Sequence, residues 1–129
     1  MLHEIRTDML DRLAPVLDDQ PVFMLNLLRF RPGRGREIYF NDYVTAFRAI
    51  VAARGIDGIA PIWTGDVAGF VAGPAGEAWD AALVVRYPSL AAFRAIVDSA
   101  EYRDTAAPHR EAALLDWRLI AQTEMPRSA

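Results

Sequence analysis

Cysteine is absent from the 129 residues, and so is lysine: all 14 basic residues are arginine. The first absence excludes disulfides, thiolate nucleophiles and thiolate metal ligands. The second excludes Schiff-base chemistry and an amine base tuned by burial. Histidine occurs only as His3 and His109, at opposite ends of the chain. No ligand spacing links either one to carboxylates, so no metal and no cofactor are expected. The serines are Ser89, Ser99 and Ser128, none within a Gly-x-Ser-x-Gly elbow, and the first two sit where helix caps belong, so serine hydrolase chemistry is not expected. No apolar run approaches the ~20 residues of a membrane span. The start Met1-Leu2-His3-Glu4 lacks the basic-then-apolar order of a signal peptide, which makes the cytoplasm the expected location, with no membrane partner. A net charge of −3, with no basic runs interleaved by aromatics, gives no expectation of nucleic-acid binding.

What remains is an ordinary globular composition, 53% hydrophobic and 24% charged, in a length that fits one domain, 1–129, able to bury roughly two-thirds of its unfolded surface. Leu2, Ile5, Met9, Leu10 and Leu13 recur at helical spacing before Pro15, so 1–20 is expected to be a helical extension ahead of the main fold. From Val22 to Phe30 the chain is apolar on both parities, as in a strand covered on both faces, with Asn26 as its interruption. Arg31-Pro32-Gly33-Arg34-Gly35-Arg36 is expected to be a mobile, solvated loop. Phe40, Tyr43, Val44, Phe47, Ile50 and Val51 mark a helix that Gly55 would end in a left-handed cap.

Ile59 to Ala72 predicts a long strand, bent or bulged at Gly65 and Gly69. Gly73-Pro74-Ala75-Gly76 turns the chain, and Trp79 to Tyr87 predicts the return strand. Ser89 caps a helix carrying Leu90, Phe93, Ile96 and Val97, and Ser99 opens a short extra turn. Leu114 to Thr123 predicts a last strand with Leu115, Trp117 and Leu119 on one side and Asp116 and Arg118 on the other. The order βαββαβ, with an extra N-terminal helix, is the ferredoxin-like α+β pattern: a four-stranded antiparallel sheet with both helices on one face. A first strand apolar on both sides then needs cover on its second side. The same face of another copy supplies it, so the expected partner is the chain itself, as a homodimer.

Met24 to Arg31 (MLNLLRFR), the Tyr39 and Tyr43 pair, Trp79-Asp80, Tyr87-Pro88-Ser89, and Ser99-Ala100-Glu101-Tyr102 followed by Arg110 resemble the DUF1330 family of the dimeric α/β-barrel superfamily. The resemblance runs from about Val22 to Ile120. It implies a ferredoxin-like subunit whose sheet meets its twin to enclose a barrel. It also implies relatives that include cofactor-independent monooxygenases and isomerases, beside dehalogenase-like and accessory proteins; the family itself carries over no catalytic residue. One departure is Gly55-Ile56-Asp57-Gly58, where the family commonly has paired glycines, which implies a longer turn.

The candidate site residues are Asn26, Arg86, Tyr102, His109, Arg110, Asp116 and Arg118. Asn26, an amide in an apolar strand, either joins a structural hydrogen-bond network or faces a polar cavity. Asp116 and Arg118 are expected on the barrel side, as a pair for an acidic or carbonyl ligand or as an ion pair at the dimer seam, and Arg86 shares that ambiguity. His109 is either a surface residue beside Pro108 or a general base over a cavity. Tyr102 and Arg110 match the resemblance, their plain reading being a turn anchor and a local ion pair. Tyr39 and Tyr43, one helical turn apart, read as helix-to-sheet packing with wet hydroxyls. Trp63, Trp79 and Trp117 either line an apolar pocket or belong to the core. The expected function is binding of a small organic molecule, with cofactor-independent proton transfer or oxygenation as the catalytic option and a binding, sensing or assembly module as the alternative.

Overall fold

A computed structural model of the chain describes residues 2–126. Helix α1 (Thr7–Leu17) precedes strand β1 (Val22–Phe30). Helix α2 covers 35–54 in three parts: an opening turn Gly35–Glu37, a π-helical segment Ile38–Tyr43, and a regular α-helix Val44–Arg54. Strands β2 (Ala60–Asp66) and β3 (Ala81–Tyr87) follow, then helix α3 (Leu90–Val97). Helix α4 covers 102–113, beginning with a π-helical segment Tyr102–Ala106 that passes into Ala107–Ala113, and strand β4 (Leu114–Gln122) comes last.

The four strands form one antiparallel sheet in the order β2-β3-β1-β4. That is the ferredoxin-like arrangement, with β1 and β3 central: the crossover helices join β1 to β2 and β3 to β4, each passing over one strand position, while β2 and β3 are chain neighbours that pair directly. Period-two alternation decides which side chains meet the helices. In β1 these are Val22, Met24, Asn26 and Leu28, all buried, facing the same way as Leu83, Val85 and Tyr87 of β3 and Trp117 and Leu119 of β4. The rear face carries Phe23, Leu25 and Leu27 beside Val84, Arg86, Arg118 and Ile120. These rear-face side chains are half-buried or exposed, whereas both hydrophobic clusters of the core lie on the helix side.

The leading helix also lies on the helix side. Leu10 and Leu17 are buried with Met24, Leu90 and Phe93, Asp11 reaches Arg94 at 2.9 Å, and the Trp117 indole N–H donates to the His3 carbonyl at 2.6 Å. The rear of the sheet is therefore not covered by α1. Within the expected helical extension, α1 starts only at Thr7 and runs on through Pro15, past the residues whose spacing announced it. The ring costs the Asp11 carbonyl its helical partner, but that carbonyl lies on an exposed residue, and burial of Leu17 holds the final turn in place.

Two further boundaries differ from expectation. β2 ends at Asp66 rather than Ala72, and β3 begins at Ala81 rather than Trp79. At this end Asp80 bridges both neighbouring strands: its N–H donates to the Leu28 carbonyl at 2.7 Å, its carbonyl accepts from the Val67 N–H at 2.9 Å, and its carboxylate accepts from the Phe30 N–H at 2.8 Å. β2 does carry a register shift, but between Pro61 and Trp63 rather than at Gly65, and Gly69 lies beyond the strand. Leu115 does not share a side with Trp117, because pairing shifts between Arg29 and Phe30 and leaves Leu115 42% exposed. The arginine-rich segment is tied down rather than loose. The Arg31 N–H donates to the Ala113 carbonyl at 2.8 Å and its Nε to the Glu111 carbonyl at 3.1 Å, satisfying acceptors that the end of α4 leaves open.

Caps fall where the sequence places them. Ser89 Oγ accepts from the Ala92 N–H and Ser99 Oγ from the Tyr102 N–H, each at 3.1 Å, while Gly55 ends α2 at φ 62°. Gly58 also takes a positive φ of 88°, so both glycines of the longer turn are used for left-handed backbone.

Candidate functional site

Because Asn26 falls on the even parity of β1, the sheet turns it toward α2. There it lines a cavity of about 370 Å³ between the helix and strands β1, β3 and β2. That volume suits a small organic molecule. Phe47, Val51, Leu83 and Val85 make the walls apolar, and the hydroxyl-bearing side chains are Tyr39, Tyr43, Tyr87 and Thr64. Arg48, on the exposed side of α2, is the charged residue of the lining; no aspartate, glutamate or histidine is among it. The Asn26 side-chain N–H donates to the Met24 carbonyl at 3.2 Å within its own strand.

Tyr39 and Tyr43 both belong to the π-helical segment of α2 and stack at 4.9 Å between ring centroids. A π turn widens the helix locally and re-aims side chains, which is why such segments gather at functional positions. The second π-helical segment, opening α4, carries Tyr102, and the two segments meet hydroxyl to hydroxyl: Tyr43 Oη and Tyr102 Oη lie 2.8 Å apart. Arg110 Nη1 donates to Tyr102 Oη at 2.6 Å. Arg110 is only 2% exposed, and its guanidinium lies 4.6 Å from the Trp117 ring and 5.7 Å from that of Tyr102. Its nearest anion is Glu4 at 3.9 Å, on a largely exposed side chain, and its Nε has no hydrogen-bond partner among the described residues.

Burial pushes the Tyr39, Tyr43 and Tyr87 hydroxyls up from the ordinary phenol value, neighbouring tyrosines adding to the effect. At neutral pH they are protonated hydrogen-bond donors and acceptors, and none is a ready base.

Of the seven residues expected from the sequence, three come together. Asn26 lines the cavity, and Tyr102 and Arg110 stand behind it through Tyr43. The other four do not join them. Arg86, Asp116 and Arg118 are on the rear of the sheet or its edge: Arg86 donates to the Gly58 carbonyl at 3.2 Å, and Arg118 pairs with Asp116 at 2.7 Å while lying 5.0 Å from the Trp79 ring. Burial works against the Asp116 charge, but Arg118 and the Trp117 N–H outweigh it and hold the carboxyl below its usual range. His109 is a half-buried residue of α4 outside the cavity lining. The residues that sequence reasoning undervalued are Tyr39, Tyr43 and Tyr87. The Tyr43 hydroxyl is not wet but bonded to Tyr102 across 59 residues of chain, a pairing with no local signal. The three tryptophans do not converge: Trp63 is exposed on the rear face, and Trp79 and Trp117 lie against different arginines. Among the described residues no group of three or more histidines and carboxylates converges as a metal site, and no helix is long and apolar enough to cross a membrane.

No family model matches the chain, and no curated protein does. Among solved structures, a protein of unknown function from Rhodopseudomonas palustris is similar at 28% identity and a TM-score of 0.80, covering 96% of this chain and 97% of that one. A dimeric protein of unknown function and ferredoxin-like fold from Bacteroides fragilis is similar at 18% identity and a TM-score of 0.54, over 81% of this chain and 96% of its own. An ethyl tert-butyl ether d (ethd) family protein from Bacillus halodurans gives 18% identity and a TM-score of 0.54, over 82% of this chain and 100% of its own. Sheet order, crossover helices and these likenesses agree that the chain has the ferredoxin-like α+β fold.

Proposed function

We propose that the chain acts as a homodimer of the DUF1330 kind, holding a small, mostly apolar organic molecule in the cavity of each subunit. The observation that carries this reading is the cavity itself: about 370 Å³, apolar-walled, with Asn26 and three tyrosines among its lining. Self-association is supported by the rear face, where Phe23, Leu25 and Leu27 are only half-buried and belong to neither core cluster among the described residues, and by the dimeric state in the description of the Bacteroides fragilis protein.

The donor set bears on catalysis as well. Tyrosines kept protonated can stabilise developing charge on a ligand oxygen, which favours cofactor-independent proton transfer or oxygenation in which the ligand itself carries the reactive charge. The second reading is a non-catalytic binding or sensing module, and one observation favours it: no carboxylate or histidine lines the cavity to take a proton.

A thermal-shift screen with small aromatic and carbonyl compounds tests the binding claim. A selective subset should raise Tm, since a ligand at a hundred times its Kd adds about 2.7 kcal/mol to the folded state. Val51→Phe, which fills the cavity from the helix side, should abolish those shifts. A flat response across the library, or shifts unchanged in the filled variant, would overturn the proposal.

A further inference from the structure

Arg110, Tyr102 and Tyr43 form a line of three hydrogen-bonding groups ending at the cavity, and its polarity can be derived. Arginine only donates, so one lone pair of Tyr102 Oη is taken by Arg110 at 2.6 Å. The hydroxyl hydrogen of Tyr102 then has Tyr43 Oη, 2.8 Å away, as its acceptor; were the direction reversed, that hydrogen would be buried without a partner among the described residues. Tyr43 is thereby left with its own hydrogen to give, and Tyr43 lines the cavity. Each bond in such a chain polarises the next, so a fixed cation at the far end strengthens the donor at the near end.

The cation itself is unusual. A guanidinium 2% exposed has little to neutralise it: among the described residues one of its nitrogens is unpaired and its nearest carboxylate is an exposed Glu4 at 3.9 Å. Stacking on Trp117 and Tyr102 compensates in part, yet an uncompensated buried charge is costly for a fold to keep. The groups facing the cavity are Tyr39, Tyr43, Tyr87 and Arg48, so no negative side chain there opposes an anionic guest.

From this geometry, and resting on the small-molecule reading above, we infer that the inner end of the cavity is an oxyanion site: it selects small cyclic compounds bearing an acidic hydroxyl, a phenol or an enolised dicarbonyl, and holds them ionised, the oxygen accepting from Tyr43. Tyr102 and Arg110 are positioning residues that act through Tyr43.

The probe is para-nitrophenol, whose neutral and ionised forms absorb differently, with para-nitroanisole as an isostere that cannot ionise. Bound to the wild-type protein, the phenol should titrate about one unit lower than in free solution, a tenfold preference for the anion. Tyr102→Phe, which removes one oxygen and little packing, should return the bound phenol to its solution value while leaving para-nitroanisole binding unchanged; Arg110→Gln should do the same where circular dichroism shows it folded. Arg48→Gln should leave the shift in place. Binding of the phenol in neutral form, a shift that survives Tyr102→Phe, or a shift that follows Arg48 would each overturn the oxyanion site while the cavity reading stands. Failure of the wild-type protein to bind either compound would overturn the inference, and a flat response in the broader ligand screen would remove the cavity reading as well.

Discussion

Tyr43 shows how far a residue's role depends on its partner. By spacing alone it pairs with Tyr39 and reads as packing, and the two rings do stack. Its hydroxyl, however, is engaged by Tyr102, which in turn is engaged by Arg110. Neighbouring positions in α4 diverge for a related reason: a helix turns about 100° per residue, so Arg110 points into the core while His109 stays half outside. The buried tyrosines have a consequence for stability against pH. Their hydroxyls ionise above the reference value of 10.0 in the folded chain and near it when unfolded, so the folded state keeps protons that the unfolded state releases. Their contribution is complete below pH 10 and is lost as pH rises from there. Urea unfolding measured from neutral to strongly alkaline pH should show this tyrosine term contributing no slope until about pH 10 and a falling one beyond it. Tyr39→Phe should make the alkaline decline shallower; an unchanged slope would mean that Tyr39 ionises in the folded state as readily as in the unfolded one.

At the level of elements, the site depends on how α2 begins. Gly35 starts that helix with no room for a side chain: a Cβ there would sit 2.6 Å from the Ala113 carbonyl oxygen and 3.1 Å from Phe30 Cβ. The contact is backbone of α4 against backbone of α2, the two elements that carry Tyr102 and Tyr43. Gly35→Ala should force them apart and destabilise the fold by about 1–3 kcal/mol, the usual cost of overpacking. Chemical denaturation would read the loss, and a variant as stable as the parent would show that the close approach is not required. Ser99 matters to the same geometry, since its Oγ accepts from the Tyr102 N–H and donates to the Ile96 carbonyl at 2.7 Å, setting where α4 starts. Both features bear on elements that were legible in the sequence: Ser89, Ser99 and Gly55 fall at their expected caps because capping is a local matter of backbone donors and φ. The π-helical segments were not legible. Ile38–Tyr43 and Tyr102–Ala106 contain no residue that demands an extra backbone unit per turn, so no local signal announces the widened turns.

For the whole molecule the open question is the rear of the sheet. Leu25 lies on it in the central strand, beside Val84 of β3 and Ile120 of β4. If two copies cover this face mutually, Leu25→Asp would put two carboxylates at the centre of the seam. Sedimentation equilibrium should then show a dimer for the parent chain and a monomer for the variant; a parent that is monomeric at micromolar concentration would end the homodimer proposal. The Arg118–Asp116 pair lies on the same face, so a pair that is partly open to water in one subunit would be desolvated in such a dimer.

Alternation and helical spacing were enough to derive the strand and helix order, the caps at Ser89, Ser99 and Gly55, and the opposition of Trp117 and Leu119 to Asp116 and Arg118 in β4, because each follows from the period of a single element and the chemistry of its ends. Only the tertiary structure decided that Asn26 faces a cavity, that α1 lies on the helix side of the sheet, and that Arg110, Tyr102 and Tyr43 join into one line. Those outcomes depend on contacts between segments far apart in the chain, where each side chain's local pattern is equally consistent with plain packing and the choice is made by which buried polar groups find one another.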